Sequence, residues 1–307
     1  MREKADTSIR CIICGGPSRL HKRVLNWGQM RRCLECHCIF SVCETKNTIR
    51  NDIYFDQAYR GNIPGEMRHF NRRVRMRRYI REFGSAYPCP GGTAWENSIR
   101  TLKYRLPKGS NVLDIGCGLG YFLDRLEKEG FSPLGLDIAD FVVDMLRKEG
   151  RQVWSGSLAT YPHDWPQPAA CTMHFVLHHV DDPVGFLSGI RKRFPASPLV
   201  LVDVGTSNRV SPDLVPPRHL TIWTRKSMDI ALRKAGYDAE VFELPVPPTY
   251  GESVLQAVFL SLPSSLHRVS ILRLIVAGRR PILWAVAPLM RALGRDTDIG
   301  AIARPLA

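Results

Sequence analysis

Three groups of residues stand out by type and spacing as able to do chemistry. The first is Asp114-Ile115-Gly116-Cys117-Gly118-Leu119-Gly120, which completes the apolar run NVLDI and leads into a helical pattern. Gly116 and Gly118 let a backbone turn sharply and approach a ligand with no Cβ in the way, while Gly120 permits close packing at the helix start. A second acid, Asp137, ends the next apolar run, where a carboxylate can accept hydrogen bonds from both hydroxyls of a ribose. The second group is Cys11-x-x-Cys14 and Cys33-x-x-Cys36, with the turn Gly15-Gly16-Pro17 between the pairs. Two such knuckles supply the four tetrahedral thiolates of a closed structural zinc site, which holds a fold together and does no chemistry of its own. His37, Cys38 and Cys43 lie close by, and one of them could stand in for Cys36. The third group is His178, His179 and His219, candidates for removing a proton.

A dinucleotide site cradles its pyrophosphate with Gly-x-Gly-x-x-Gly at a helix N-terminus. Here the spacing is Gly-x-Gly-x-Gly, with an acid ahead of it. That arrangement suits a ligand carrying positive charge, as the ammonium and sulfonium of S-adenosylmethionine do, with Asp114 ordering that end through water or backbone. Methyl transfer from such a donor is an in-line displacement at an activated carbon. It asks for alignment, exclusion of water and, for a hydroxyl acceptor, a base. The histidines also have a plainer reading, since a histidine before Val-Asp-Asp-Pro can cap a turn or fill a wall. His174, inside an apolar run, reads as a satisfied core or cofactor-side residue. Cys117 and Cys171 have no base nearby and read as small packing residues rather than nucleophiles.

The elements that must position these residues follow from periodicity. From Asn111 onward, the short apolar runs NVLDI, SPLGLD, QVWSG, ACTMHFVL, PLVLVDV and DAEVFEL alternate with helical stretches. This alternation predicts an α/β, Rossmann-like, doubly wound and mostly parallel sheet. GYFLDRLEKEG and FVVDMLRKEG predict helices ending on Gly130 and Gly150. The chain therefore divides into a small zinc ribbon (1–50), a helical linker or cap (51–105), the sheet domain (106–245) and an apolar helical extension (246–307). That extension closes with DIGAIARP, a last strand returning to the sheet edge. Its apolar helices suit core packing, a lid, a dimer face or a peripheral membrane contact.

The net charge of +14 sits almost wholly in the front of the chain. Residues 1–110 hold 22 Lys/Arg against 9 Asp/Glu, and the remainder 21 against 20. A basic front suits RNA, an anionic surface or a phosphorylated substrate. The linker carries Tyr54, Phe55 and Tyr59, then EMRHFNRRVRMRRYIREF, whose seven arginines read as a solvated helix face or a phosphate-binding surface. The first thirty residues lack the apolar core of a secretory signal, and no run approaches the roughly 18 apolar residues that span a bilayer. A cytoplasmic protein is expected.

The DIGCGLG loop, Asp137, FVLHHVDDP and PPRHLTIWTRKSMDIALRKAGY together resemble the class I S-adenosylmethionine-dependent methyltransferases over residues 106–245. With RCLECHCIFSV and Tyr54-Phe55, the whole chain resembles the members with an N-terminal zinc ribbon, found among bacterial small-molecule and glycan-pathway enzymes. The resemblance implies cofactor contacts from Asp114, Gly116, Gly118 and Asp137, with Gly120 closing the loop and Ser157-Leu158 near the adenine. It implies methyl transfer to a small-molecule or glycan-precursor acceptor. Two departures stand out: Ala169, Ala170 and Cys171 replace an acid at the head of the fourth strand, and His178 stands where Glu is common. An RNA methyltransferase of guanine type is the main alternative, although HHVDDP lacks the Asn/Asp-Pro-Pro-aromatic grip on an adenine amine. A non-catalytic zinc-ribbon binding protein is the third reading.

Overall fold

The computed structural model describes residues 8–24, 28–43, 51–60, 62, 74, 77, 81, 92–195, 197, 200–205, 216, 219–245 and 297–306. The apolar extension over 246–296, and with it the expected lid, dimer or membrane role, lies outside the described residues. So does most of the arginine-rich segment.

A seven-stranded sheet forms the centre. Its strands are β4 (Asn111–Ile115), β5 (Ser132–Asp137), β6 (Val153–Ser155), β7 (Ala170–His174), β8 (Val200–Gly205), β10 (Tyr237–Pro245) and β11 (Thr297–Pro305). Their spatial order is β10-β11-β8-β7-β4-β5-β6, with β8 through β6 parallel and β11 antiparallel to both of its neighbours. All six predicted runs are strands, and the fold is the Rossmann-like one their alternation implied. The last strand differs from expectation. It lies inside the sheet, paired to β8 on one side and along its whole length to β10 on the other, so that β10 forms the edge in its place. β7 is also shorter than its apolar run. Phe175 turns to φ 60°, and the chain leaves the sheet for a 3-10 turn, Leu177–His179.

Helices cover both faces. These are α1 (Asn51–Tyr59), α2 (Gly92–Arg105), α3 (Tyr121–Lys128), α4 (Asp140–Lys148), α5 (Pro183–Arg193) and α6 (Arg225–Lys234). α3 buries Phe122, Leu123 and Leu126, and α4 buries Val142, Val143 and Leu146. Both stop at the predicted glycines, Gly130 and Gly150, whose φ of 88° and 76° is the left-handed conformation that ends a helix without a Cβ penalty. α5 begins on the Asp182 side chain, which accepts from the Gly185 N–H, and α6 begins on a reciprocal Thr224–Ser227 capping box.

The N-terminal residues build a second sheet from β1 (Ser18–Val24), β2 (Gly28–Cys33) and β3 (Ile39–Cys43). Its fourth strand, β9 (Thr221–Ile222), comes from the other end of the chain, with Ile39 opposite Ile222 and Phe40 opposite Thr221. Cys11, Ile13, Cys36 and Phe40 pack in one continuous core with Leu187, Trp223 and Met228.

Arg77 corrects the reading of the arginine segment as wholly solvated. It is buried, its Nε donating to Asp124 Oδ2 at 2.8 Å and its Nη2 lying 2.9 Å from Glu149 Oε2. Arg151 also reaches Asp124, at 2.6 Å. Removing one partner of a buried pair leaves an uncompensated charge, so Arg77→Ala should lower unfolding stability by about 3 kcal/mol, read from the urea midpoint. A loss below about 1 kcal/mol, the range of surface pairs, would mean that Arg151 alone neutralises Asp124.

Candidate active site

The carboxyl ends of β4, β5 and β7 open onto a cavity of about 580 Å3, within the range that holds a small ligand. The glycine loop forms its floor. Gly116 and Cys117 both donate their N–H to Leu136 O, at 2.7 and 3.2 Å, which ties the loop across to β5. At Gly116, with φ 73°, a Cβ would lie 2.3 Å from Val176 Cγ2. Glycine is thus required there by the β7 loop as well as by any ligand. Gly118 donates to Asp137 Oδ2 at 2.8 Å, and Ala139 N donates to Asp137 Oδ1 at 2.9 Å.

Of the residues singled out in the sequence, the cavity lining includes Asp114, Gly116, Gly118, Asp137, Ser157, Leu158, His178, His179 and His219. Gly120 is not brought to it. Its φ of 74° starts α3, and its missing Cβ makes room for Leu146 of α4, a packing role. Asp114 is buried and accepts from Thr172 Oγ1 at 2.8 Å. Burial, with the nearby Asp137 charge adding to it, pushes the Asp114 carboxyl up to about 7 against the pull of the Thr172 hydroxyl. Burial raises the Asp137 carboxyl too, opposed by the N–H groups of Ala139 and Gly118. The Cys117 thiol is pushed well above its ordinary value by burial, and Cys171 up to about 12, which removes both as nucleophiles.

The three histidines come together in the lining of the same cavity. Ring centroids are 4.1 Å apart for His178–His179, 4.5 Å for His178–His219 and 4.9 Å for His179–His219. Leu220 N donates to His178 O at 2.8 Å, which fastens the His219 segment to the turn after β7. Phe55 of α1 meets the His179 ring edge-on at 4.7 Å. Thr221 and Ile222 of β9 line the same wall.

The sequence reading missed part of the lining. His174 was read as a satisfied core or cofactor-side residue; neither ring nitrogen has a partner among the described residues, and it lines the cavity between Trp95 and Phe122. Burial holds its imidazole down at about 3, so it stays neutral. Trp95 Nε1 and Thr221 Oγ1, on two further lining residues, are likewise buried without a partner among the described residues. Buried polar groups are ordinarily paired, so this wall is the place where a ligand would supply the missing partners.

Away from the cavity, Cys11, Cys14, Cys33 and Cys36 each place a sulfur within 4.8 Å of the others. Backbone donors point at these sulfurs: Ile13 N to Cys11, Gly16 N to Cys14, and both Glu35 N and Cys36 N to Cys33, all at 3.3–3.4 Å. Such N–H groups stabilise thiolates, so the donor set fits a tetrahedral cation. Cys38 Sγ adjoins the group, 3.4 Å from both Cys11 and Cys36, while Cys43 is exposed.

Residues 92–240 match the family model Methyltransf_23, described as a methyltransferase domain. No curated protein sequence matches the chain. Among solved structures, phosphoethanolamine N-methyltransferase 2 of Haemonchus contortus, in complex with phosphomonomethylethanolamine and S-adenosylhomocysteine, is 18% identical with a TM-score of 0.51, covering 78% of this chain and 58% of that one. The same protein in complex with S-adenosyl-L-methionine is 16% identical with a TM-score of 0.54, covering 87% of this chain and 62% of that one. This chain therefore spans less than two thirds of the length of either neighbour. The matched residues include the acid–glycine loop at the head of the sheet, and the two neighbours share the Rossmann-like fold of this part of the chain. Among the described residues, no helix is long and apolar enough to cross a membrane.

Gly116→Ala should place a methyl group against Val176 in a strained backbone and weaken S-adenosylhomocysteine binding about tenfold or more, measured by titration calorimetry. Unchanged affinity would show that the β7 loop yields without disturbing the cofactor half.

Proposed function

We propose that the protein transfers the methyl group of S-adenosylmethionine to a hydroxyl of a small molecule, such as a sugar, a glycan-pathway precursor or a secondary metabolite. The observation that carries this reading is that the glycine loop and the three-histidine cluster line one and the same cavity. In this reading Asp114, Gly116, Gly118 and Asp137 hold the methionine and ribose parts, and Ser157 and Leu158 flank the adenine. An acceptor hydroxyl approaches from the His178–His179–His219 side. The apolar lining from Phe55, Trp95 and Phe122 excludes water, so alignment and desolvation do most of the work, and the histidine wall takes the proton. The four-cysteine group holds a structural zinc ion. A cytoplasmic setting, with its reducing thiols, suits that site.

Titration calorimetry with S-adenosylmethionine, and a zinc assay on the same sample, test this reading before any acceptor is known. About one cofactor and one zinc per chain are expected. A folded, zinc-bearing protein that binds no cofactor would overturn it in favour of a non-catalytic binding protein.

Asp114 supplies a sharper check. A cationic ligand favours its ionised form, so binding draws a proton off the carboxyl, and affinity rises with pH up to the carboxyl's own value and then levels. S-adenosylmethionine affinity should therefore increase between about pH 6 and about pH 8, with proton release seen in buffers of different ionisation enthalpy. Asp114→Asn should bind more weakly and with a flat profile. A flat profile in the parent protein would separate Asp114 from the cationic end of the cofactor.

A second reading, an RNA methyltransferase, is favoured by one observation. Arg19, Lys22, Arg23 and Arg32 are all exposed on the β1–β2 hairpin. RNA affinity that falls steeply with salt would support it, since each neutralised phosphate releases counterions.

A further inference from the structure

The three-histidine wall has a donor set that general base chemistry does not require. One nitrogen from each of His178, His179 and His219 lies within 4.8 Å of the others, and His178 is buried. A proton acceptor needs one imidazole; three converging imidazoles are the ligand set of a transition-metal ion. We infer that His178, His179 and His219 bind a divalent first-row transition-metal ion on the acceptor side of the cavity, a site distinct from the four-cysteine group. The inference rests on the proposed hydroxyl methyl transfer for its chemistry, but the binding site stands on geometry.

Tetrahedral coordination at about 2.0–2.1 Å sets ligand nitrogens about 3.3 Å apart, so small side-chain rotations close the cluster. The backbone supports that closure. His178 and His179 are fixed in one 3-10 turn, and the Leu220 N to His178 O hydrogen bond holds the His219 segment against it. The ring of His178 lies at 65° to that of His179 and at 45° to that of His219, so the three planes are not a simple stack. Phe55 blocks one edge of His179. All three histidines line the cavity, so a metal they held would have a fourth position available to a ligand there, as in catalytic sites with three protein ligands, whereas four cysteine ligands would leave none open. With the imidazole nitrogens engaged as ligands, the metal takes over the histidines' part in activating the acceptor: a hydroxyl oxygen bound at that position would be acidified and would release its proton to solvent as the acceptor enters. The oxygen then attacks the sulfonium methyl carbon, and the carbon–sulfur bond breaks with its electron pair passing to sulfur. The products are the methyl ether and S-adenosylhomocysteine. The metal stays bound and unchanged in charge.

Co2+ is the probe, titrated into the full chain after dialysis against a mild chelator. Nitrogen ligation gives weak visible bands without the near-ultraviolet sulfur-to-metal charge transfer of cysteine ligation, so the two sites are separable in one spectrum. The expected result is one equivalent of Co2+ with nitrogen-type bands and three exchangeable, hyperfine-shifted imidazole N–H resonances in the proton spectrum. His178→Gln and His219→Gln should each lose at least about tenfold in Co2+ affinity, and added Co2+ should raise the melting temperature of the parent but not of the variants. Absence of nitrogen-ligated Co2+ up to millimolar metal would overturn the inference, and so would undiminished Co2+ affinity in both variants. Should the variants not fold, the resonance count in the parent decides alone. S-adenosylhomocysteine calorimetry on the same sample separates the two claims. Cofactor binding without the metal overturns this inference only, and metal binding without cofactor overturns the methyl-transfer reading only.

Discussion

The structure turns on a two-residue strand. β9 supplies only Thr221 and Ile222, yet it pairs with β3 of the cysteine module on one side and is followed by the Thr224 cap of α6 on the other. Ser41 N donates to Leu220 O at 2.8 Å, and Thr224 Oγ1 donates to Cys36 O at 2.7 Å. Leu220 N donates in turn to His178 O. A short strand of this kind has no stability of its own; its conformation is set by whatever it pairs with. The cysteine knuckles therefore shape a wall of the catalytic cavity far from them in sequence. A module that looks like an appendage helps to form the cavity lining.

The two sides of the cavity are built on different physical terms. On the cofactor side, Asp114 and Asp137 are buried behind glycines that leave the backbone open, and burial raises both carboxyls toward neutrality. A site that makes carboxylates costly to ionise has affinity in reserve for a cation, and releases it when the cation arrives. Elsewhere the lining is made of aromatic rings and imidazoles, with His174 held neutral by burial.

Much of this was legible in the sequence, and the parts that were not have identifiable causes. The five buried parallel strands read as apolar runs, the edge strand β10, antiparallel to its neighbour β11, kept enough apolar residues to be found with them, and the glycines after α3 and α4 marked helix ends through their left-handed conformation. The glycine loop and Asp137 were legible because each needs a fixed residue type at a fixed spacing. β9 was not, since two residues carry no periodicity and its partner lies about 180 positions away. The interior place of β11 was hidden for a related reason, as local pattern cannot order strands. The apolar neighbours of His174 left core and cofactor-side places both open, and only the fold shows it in the cavity lining with nitrogens that have no partner among the described residues. Arg77 sat among six other arginines with nothing to distinguish it until Asp124 and Glu149 came alongside.

The claim that the cysteine module shapes the acceptor wall is tested most directly by amide hydrogen exchange on the full chain, with the cysteine-bound metal in place and after its removal by a strong chelator. The account predicts that amides of Leu220, Thr221 and Ile222 lose protection on metal removal together with β3, while those of β4 and β5 keep theirs. Unchanged protection at Leu220–Ile222 in protein that has lost its metal would contradict it, and would leave the catalytic half as the sole source of its own acceptor site.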